Sequence, residues 1–406
     1  MNKKYEEYWS GLGIALGLNT DETPLNWNSI AYIACKQRTL PILYHGLWLQ
    51  GKEALLPDKL RAQMKKDTCY NSVIGFSRRM DLFRVLKAAV EQNIKMVCFK
   101  GYILADTYPE WKTRVSSDSD IYVYERDREK AQNLLCSLGY EIEAEKSKKQ
   151  VPVYIHKERK HIIELHFSLW EDYEGKQIDI LDNMKITNEK SLIQVRLEDM
   201  DIWTLSPTNH LIFQMFHIIK HFTVQGIGSR YMLDITFFVN RYIKEIDVPY
   251  FWNCMEQLHY TDFCMNYFSL CIEYLRLNED ILEANAMNCS ESKKLRLLED
   301  MMKFDKGEQN DYKVITLMSP YLEGRETHSG GSITRKLKLI FPSADALQDD
   351  FAYAKKHKIL LPFAWVQKWC RFINNRIHGR SQSAFSKIEE ADDRVAMMKE
   401  MNLLEK

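Results

Sequence analysis

The stretch "CFKGYILADTYPEWKTRVSSDSDIYVY", residues 98–124, decides how this chain is read. The apolar run "IKMVCF" (94–99) has the composition of a strand and stops at Lys100-Gly101. "YILADTY" follows as a short helical segment closed by Pro109, and a second strand opens at Asp118-Ser119-Asp120 before running into "IYVY". Aspartate is a poor strand former, so a strand that begins with two of them needs a reason beyond stability. Residues i and i+2 of a strand share a face, which sets Asp118 and Asp120 side by side, roughly 7 Å apart along the strand.

A third carboxylate, Glu164, sits inside the apolar run "HIIELHF", where it is equally out of place. Neighbouring strands lie about 5 Å apart, so the three acids converge if these strands are adjacent. Such a concentration of negative charge requires cations. Hard divalent ions, Mg²⁺ or Mn²⁺, accept carboxylate oxygens and keep positions open for phosphate. Asp118, Asp120 and Glu164 are therefore the candidate metal ligands and catalytic residues, with Glu164 also the candidate general base.

The Lys100-Gly101 turn supplies the complementary half. A glycine there lets the backbone approach a ligand, and the following helix start offers free N–H groups to a phosphate. Lys100 and Arg114 add positive charge over a triphosphate, and Ser117 stands just ahead of the acidic pair. These four, Lys100, Gly101, Arg114 and Ser117, are the nucleotide-binding candidates. Arg114 serves equally well as a residue that holds the loop in place. The chemistry that fits is in-line attack of an acceptor oxygen on an α-phosphorus, with two metals about 3.5–4 Å apart bracketing the attacking and departing oxygens. No Walker-type phosphate loop is present.

Around this centre the chain reads as helix, sheet, helix. Residues 1–92 read as an N-terminal helical region, in which a long helix carries Val73, Phe76, Met80, Phe83 and Val90 near one face. Residues 93–205 read as a small mixed sheet with packed helices. "RDREKAQNLLCSLGY" is a helix ended by Gly139, and "VPVYIHK" and "HIIELHFSLW" are two strands joined by a turn at Glu158-Arg159-Lys160. Residues 206–406 read as a C-terminal helical domain, opening with Ser206 as N-cap and Pro207 at the first helical position. "GIGS" (226–229) breaks the helix, and the Gly/Ser/Thr-rich "GRETHSGGSITRK" (324–336) is a loop. The expected class is α+β, a small mixed sheet that carries the site, flanked by helical regions at both ends.

"FKGYILADTYPEWKTRVSSDSDIYV" resembles the Lys-Gly … Arg-x-x-x-Asp-x-Asp pattern of an uncharacterised bacterial nucleotidyltransferase family within the DNA polymerase β-type superfamily. "LPILYHGL", "IIELHFSLW" and "HLIFQMFHIIKHFTVQGIGSRYMLDITFFV" extend the likeness to about residue 240, with a weaker echo at "KLKLIFPSADAL". The resemblance implies a magnesium-dependent transferase that uses a nucleoside triphosphate, with ATP the first choice. Its acceptor would be a small molecule, a peptide or a protein side chain. The chain departs from the superfamily in the turn, where Gly101-Tyr102 stands in place of Gly-Ser or Gly-Gly. A non-catalytic nucleotide- or partner-binding scaffold on the same fold is the alternative, and a metal-dependent phosphohydrolase a second one.

His210, Gln214, His217 and His221 recur at helical spacing as a polar stripe. If the helical domain folds over the sheet, His166, His217, His221, Arg230 and Asp234 border the pocket. His217 and His221 have a metal-pair spacing but lack the glutamate of a zincin, so a cleft-lining or solvated face is expected.

Composition narrows the remaining classes. Lysine plus arginine equals aspartate plus glutamate at 56 each, which argues against nucleic acid as a partner. Nine cysteines without a Cys-x-x-Cys pair read as reduced thiols, mostly in the core. No run approaches about eighteen apolar residues and no signal-peptide pattern opens the chain, so a cytoplasmic protein is expected.

Overall fold

The computed structural model describes residues 2–19, 24–170, 176–224, 226–285, 289–303, 351–377 and 384–404. It divides into a first unit of residues 1–222 and 226–307 and a second of residues 223–225 and 308–406. The architecture is α+β: a seven-stranded mixed sheet with helices before and after it in the chain.

Four helices lead into the sheet: α1 (Lys3–Ala15), α2 (Trp27–Lys36), α3 (Leu40–Leu49) and α4 (Asp58–Glu91). Asn2 and Asn26 cap the first two, each accepting from a backbone N–H of the first turn. Pro41 sits at the start of α3, where its missing N–H costs nothing. Gly46 lets α3 press on the Ala15 carbonyl of α1, where a Cβ would collide.

The buried stripe of α4 differs from the expected one. Val73, Phe76 and Val90 are exposed, and Arg79, Leu82, Phe83, Leu86 and Ala89 face inward. For Val73 and Phe76 the reason is that only the last third of this 34-residue helix lies on the sheet. Its earlier apolar residues precede the contact, and nothing local in the sequence marks where contact begins.

The strands are β1 (Met96–Phe99), β2 (Asp118–Val123), β3 (Tyr140–Ile142), β4 (Val153–His156), β5 (Ile162–His166), β6 (Leu192–Leu197) and β7 (Met200–Leu205). They lie in the order β3-β4-β5-β2-β1-β7-β6. β2 pairs antiparallel with β1 and parallel with β5, and β1 pairs parallel with β7. The β6–β7 hairpin was not anticipated. Its alternation of Ile193, Val195 and Leu197 with polar residues carries the signal, turned at Glu198-Asp199. Short helices α5 (Gly101–Ala105), α6 (Arg128–Ser137) and α7 (Lys176–Asn183) connect the strands.

The pleat gives the sheet two different faces. Met96, Cys98, Ile121, Val123, Ile163 and Leu165 join Leu82, Phe83 and Leu86 of α4 and Leu134 and Leu135 of α6 in one apolar cluster. Full burial of each large side chain there contributes about 1.5–3 kcal/mol. Alternation puts Val97, Phe99, Asp118, Asp120, Glu164 and His166 on the other face. Helix α8 (Pro207–Val224) covers it, with the Phe99 and Phe213 rings 4.9 Å apart edge to face. The acids thus lie between a sheet and a helix, away from the main core.

Helices α9 (Ser229–Tyr242), α10 (Val248–Gln257), α11 (Thr261–Leu275) and α12 (Glu291–Lys303) complete the first unit. Described in the second are α13 (Ala352–Lys356), α14 (Leu361–Ile377) and α15 (Ala384–Glu400), with Phe351, Ala354 and Ala364 forming a small core. The segments "GRETHSGGSITRK" and "KLKLIFPSADAL" lie outside the described residues. Four of the nine cysteines are buried and four exposed, so the thiols are less confined to the core than expected. Among the described residues, no helix is long and apolar enough to cross a membrane.

Candidate active site

The parallel pairing of β2 with β5 puts Asp120 opposite Glu164 and Tyr122 opposite His166. Asp120, Glu164 and His166 each bring one ligand-type atom within 4.8 Å of the others. Asp120 is buried, Glu164 half-buried and His166 buried. Lys100 Nζ donates to Asp120 Oδ1 at 2.7 Å, and His166 Nε2 lies 3.2 Å from the same oxygen and 3.6 Å from Glu164 Oε2.

The electrostatics follow from that geometry. Burial alone would raise the Asp120 carboxyl, but Lys100 and then His166 outweigh it and hold it well below the usual carboxylate range. Burial would lower the Lys100 ammonium, yet Asp120, Glu164 and Asp118 together raise it. His166 is likewise raised against its burial by hydrogen bonds to Asp120 and Glu164. The cluster therefore draws positive charge strongly.

Asp118 heads β2 on the same face as Asp120, half-buried, with a 3.4 Å contact from Ser116 Oγ. It stands outside the group formed by Asp120, Glu164 and His166. His166 enters that group because it follows Glu164 at i+2 on one strand face. Sequence reading placed it only at the rim. Ser119, between the two aspartates, faces the opposite side and meets His161 Nε2 at 2.9 Å.

The turn before these acids is strained. Lys100 has φ 54° and ψ −137°, a region that glycine ordinarily supplies. A residue so placed costs about 1–3 kcal/mol and persists only where its surroundings fix it. The Lys100 N–H donates to His210 Nε2 at 3.2 Å, and its carbonyl accepts from Leu104. To accept, His210 must be neutral. Burial first, then the charges of Arg114 and Lys100, lower it to about 3. Gly101 follows with φ 35°, and a Cβ there would meet the Asp118 carbonyl at 3.6 Å, an ordinary contact distance.

Arg114 closes this turn from below. It forms a two-pronged pair with Asp234 of α9 at 2.7 and 3.0 Å and donates a third bond, 3.0 Å, to the Gly101 carbonyl. Tyr108 and Arg230 also donate to Asp234, at 2.7 and 3.2 Å. Arg114, Arg230 and Asp234 are thus brought together, and their geometry is that of a brace under Gly101. Ser117 is half-buried in the link from Arg114 to β2.

The polar stripe of α8 runs from buried to half-buried, with His217 and His221 at the half-buried end. His210 and Gln214 are buried, and His217 stacks against Phe213 and meets His221 edge to face. α9 packs beside the stripe, with Phe238 on His210 and Tyr231 on His221. Burial, followed by the charge of Lys100, pushes His217 well below its ordinary value. Both amide atoms of Gln214 are buried without a hydrogen-bond partner among the described residues.

A family described as "Uncharacterised nucleotidyltransferase" matches residues 23–276, more than half of the chain. The chain belongs to this family. The match runs through α2 to α11 and so takes in the whole acidic face, the Lys100 turn and the Arg114 brace. No curated protein and no solved structure gives a significant match. Membership of a nucleotidyltransferase family implies a transferase activity, with a nucleoside triphosphate as the substrate class.

Proposed function

We propose that this chain is a divalent-metal-dependent nucleotidyltransferase that moves a nucleoside monophosphate, with ATP the first candidate donor, onto a hydroxyl of a small molecule, peptide or protein. The observation that carries this reading is the register of Asp120 with Glu164 across parallel strands, with His166 alongside, in a chain of this family.

The donor set fits such an ion. Two carboxylates suit Mg²⁺ or Mn²⁺, and the imidazole of His166 tilts the preference toward Mn²⁺. Asp120, Glu164 and His166 would hold it, and Asp118, on the same face, would complete the acidic set. When bound, the metal polarises phosphoryl oxygens and neutralises charge during displacement. Lys100, now paired with Asp120, is placed to turn toward a phosphate once that carboxylate has another cation. Glu164, the more exposed acid, is placed to take the acceptor proton. The acceptor oxygen forms a bond to the α-phosphorus, the bond from that phosphorus to the bridging oxygen breaks, and pyrophosphate leaves with the electron pair.

The scaffold reading has one observation in its favour: the 2.7 Å Lys100–Asp120 pair already neutralises the central acid. Incubating the protein with each of ATP, GTP, CTP and UTP, with Mg²⁺ or Mn²⁺ and mixed hydroxyl acceptors, separates the two. Pyrophosphate release and a nucleotide-mass adduct, both abolished in Asp120→Asn, support transfer. Nucleotide binding by folded protein with neither product supports the scaffold.

A further inference from the structure

Arg38 occupies the turn between α2 and α3 with φ 58°, in the left-handed region that arginine disfavours. Its neighbours fix it there. Gln37 and Thr39 are buried, and Gln37 Oε1 accepts from the Ser229 N–H at 2.7 Å while Gln37 Nε2 donates to the Met301 carbonyl. Thr39 Oγ1 meets the Tyr8 hydroxyl at 2.9 Å, and that hydroxyl meets Ser229 Oγ at 2.6 Å. The turn is thereby fastened to the first residue of α9, beside Arg230.

Arg78 reaches the same place from α4, donating to the Ser116 carbonyl at 2.7 Å, two residues before Asp118. Neither Arg38 nor Arg78 has a carboxylate partner within ion-pair distance among the described residues, and Arg230 only shares Asp234 with Arg114. Arg38 is half-buried, and burial first, then the charge of Arg230, make its protonated state harder to hold, with Asp118 acting the other way. Three guanidinium groups from three elements thus gather at the Asp118 end of the acidic face.

The charges do not close within the protein. Lys100 is matched by Asp120 and Arg114 by Asp234. Arg38, Arg78 and Arg230 then stand against Asp118 and Glu164, and a divalent cation on the acids would leave about three positive charges unanswered. A polyphosphate answers them, because the guanidinium fork matches phosphate oxygens two at a time. We infer that Arg38, Arg78 and Arg230 form a polyphosphate site that receives the β- and γ-phosphates of the nucleoside triphosphate. The helices that precede the sheet are then part of the substrate site, with Arg38 and Arg78 as their contacts.

The nucleotide identity of the ligand rests on the proposed transfer reaction; the anion site rests only on a divalent cation at the acids. Calorimetric titration of inorganic tripolyphosphate, ATP and AMP, each with Mg²⁺, into the full chain tests it. Arg38→Gly is the decisive variant, since glycine suits φ 58° and removes the guanidinium without disturbing the turn. It is expected to melt no lower than wild type and to lose at least tenfold in affinity for tripolyphosphate and ATP, with AMP little changed. Arg38→Lys is expected to fall between. Failure of wild type to bind tripolyphosphate, or wild-type affinity in Arg38→Gly, overturns the site. Tripolyphosphate binding lost in Arg38→Gly, in a protein that releases no pyrophosphate from any nucleotide, keeps the site and removes the transfer reading. Pyrophosphate release unimpaired in Arg38→Gly does the reverse.

Discussion

Replacing Asp234 by asparagine removes the charge that the brace under the Gly101 turn depends on. The carboxylate is 5 % exposed and its main partner, the Arg114 side chain, 4 %. It accepts from Arg114 twice, from Tyr108 and from Arg230. Breaking a buried pair by removing one partner costs about 3–5 kcal/mol, because the other charge stays buried without compensation. That is a large part of a typical total stability of about 5–15 kcal/mol. Replacing both ends, as in Arg114→Met/Asp234→Leu, removes the most buried stranded charge and leaves only the less buried Arg230 without its carboxylate, so the double loss should fall short of the summed losses of Arg114→Met and Asp234→Leu by about 2 kcal/mol.

Urea unfolding followed by tryptophan fluorescence measures all of these. The pH dependence adds a signature. Burial opposes ionisation of Asp234, but Arg114 and Arg230 outweigh it and lower its pKa from about 3.8. Its stabilisation is therefore complete above the unfolded value and disappears as pH falls through the lowered folded one. Asp234→Asn should lack that acid-side loss. A single-variant cost under about 1 kcal/mol, or strict additivity in the double variant, would refute the brace.

Two further outcomes follow from named contacts. His210 is neutral in the fold, lowered from 6.5 to about 3, so the unfolded chain binds its proton first and stability declines as pH drops from about 6.5 toward 3. His210→Gln should show a smaller fall in melting temperature between pH 7 and pH 4.5, and an equal fall would remove His210 from the account. Gly46→Ala drives a methyl into the Ala15 carbonyl, and is expected to lower stability by about 1–3 kcal/mol as overpacking does. Unchanged melting would mean that α1 and α3 separate without cost.

The local chemistry of the site was open to sequence reading because it is short-range. Strand alternation alone puts Asp118 and Asp120 on one face, and an acid inside "HIIELHF" is conspicuous anywhere. The turn at Lys100-Gly101 was equally visible, though not that Lys100 itself takes the left-handed backbone. What escaped depends on contacts made across the chain. Nothing near Arg38 says that its neighbour Gln37 bonds residue 229, and nothing in α4 says that its contact with the sheet begins near residue 79. The β6–β7 hairpin had a legible alternation, but its charged turn and flanks masked it. Of the histidines, His166 needed only the i+2 rule to join Glu164. His210 needed the fold, because its partner is a backbone N–H 110 residues away.

The most direct measurement is calorimetric titration of ATP, with and without Mn²⁺, into wild-type protein, Asp120→Asn and Glu164→Gln. Metal-dependent binding in wild type, lost in both variants, is the expected result. Wild-type protein that binds no nucleotide with either Mn²⁺ or Mg²⁺, or variants that bind as wild type does, would contradict a metal-nucleotide site on the β2–β5 face.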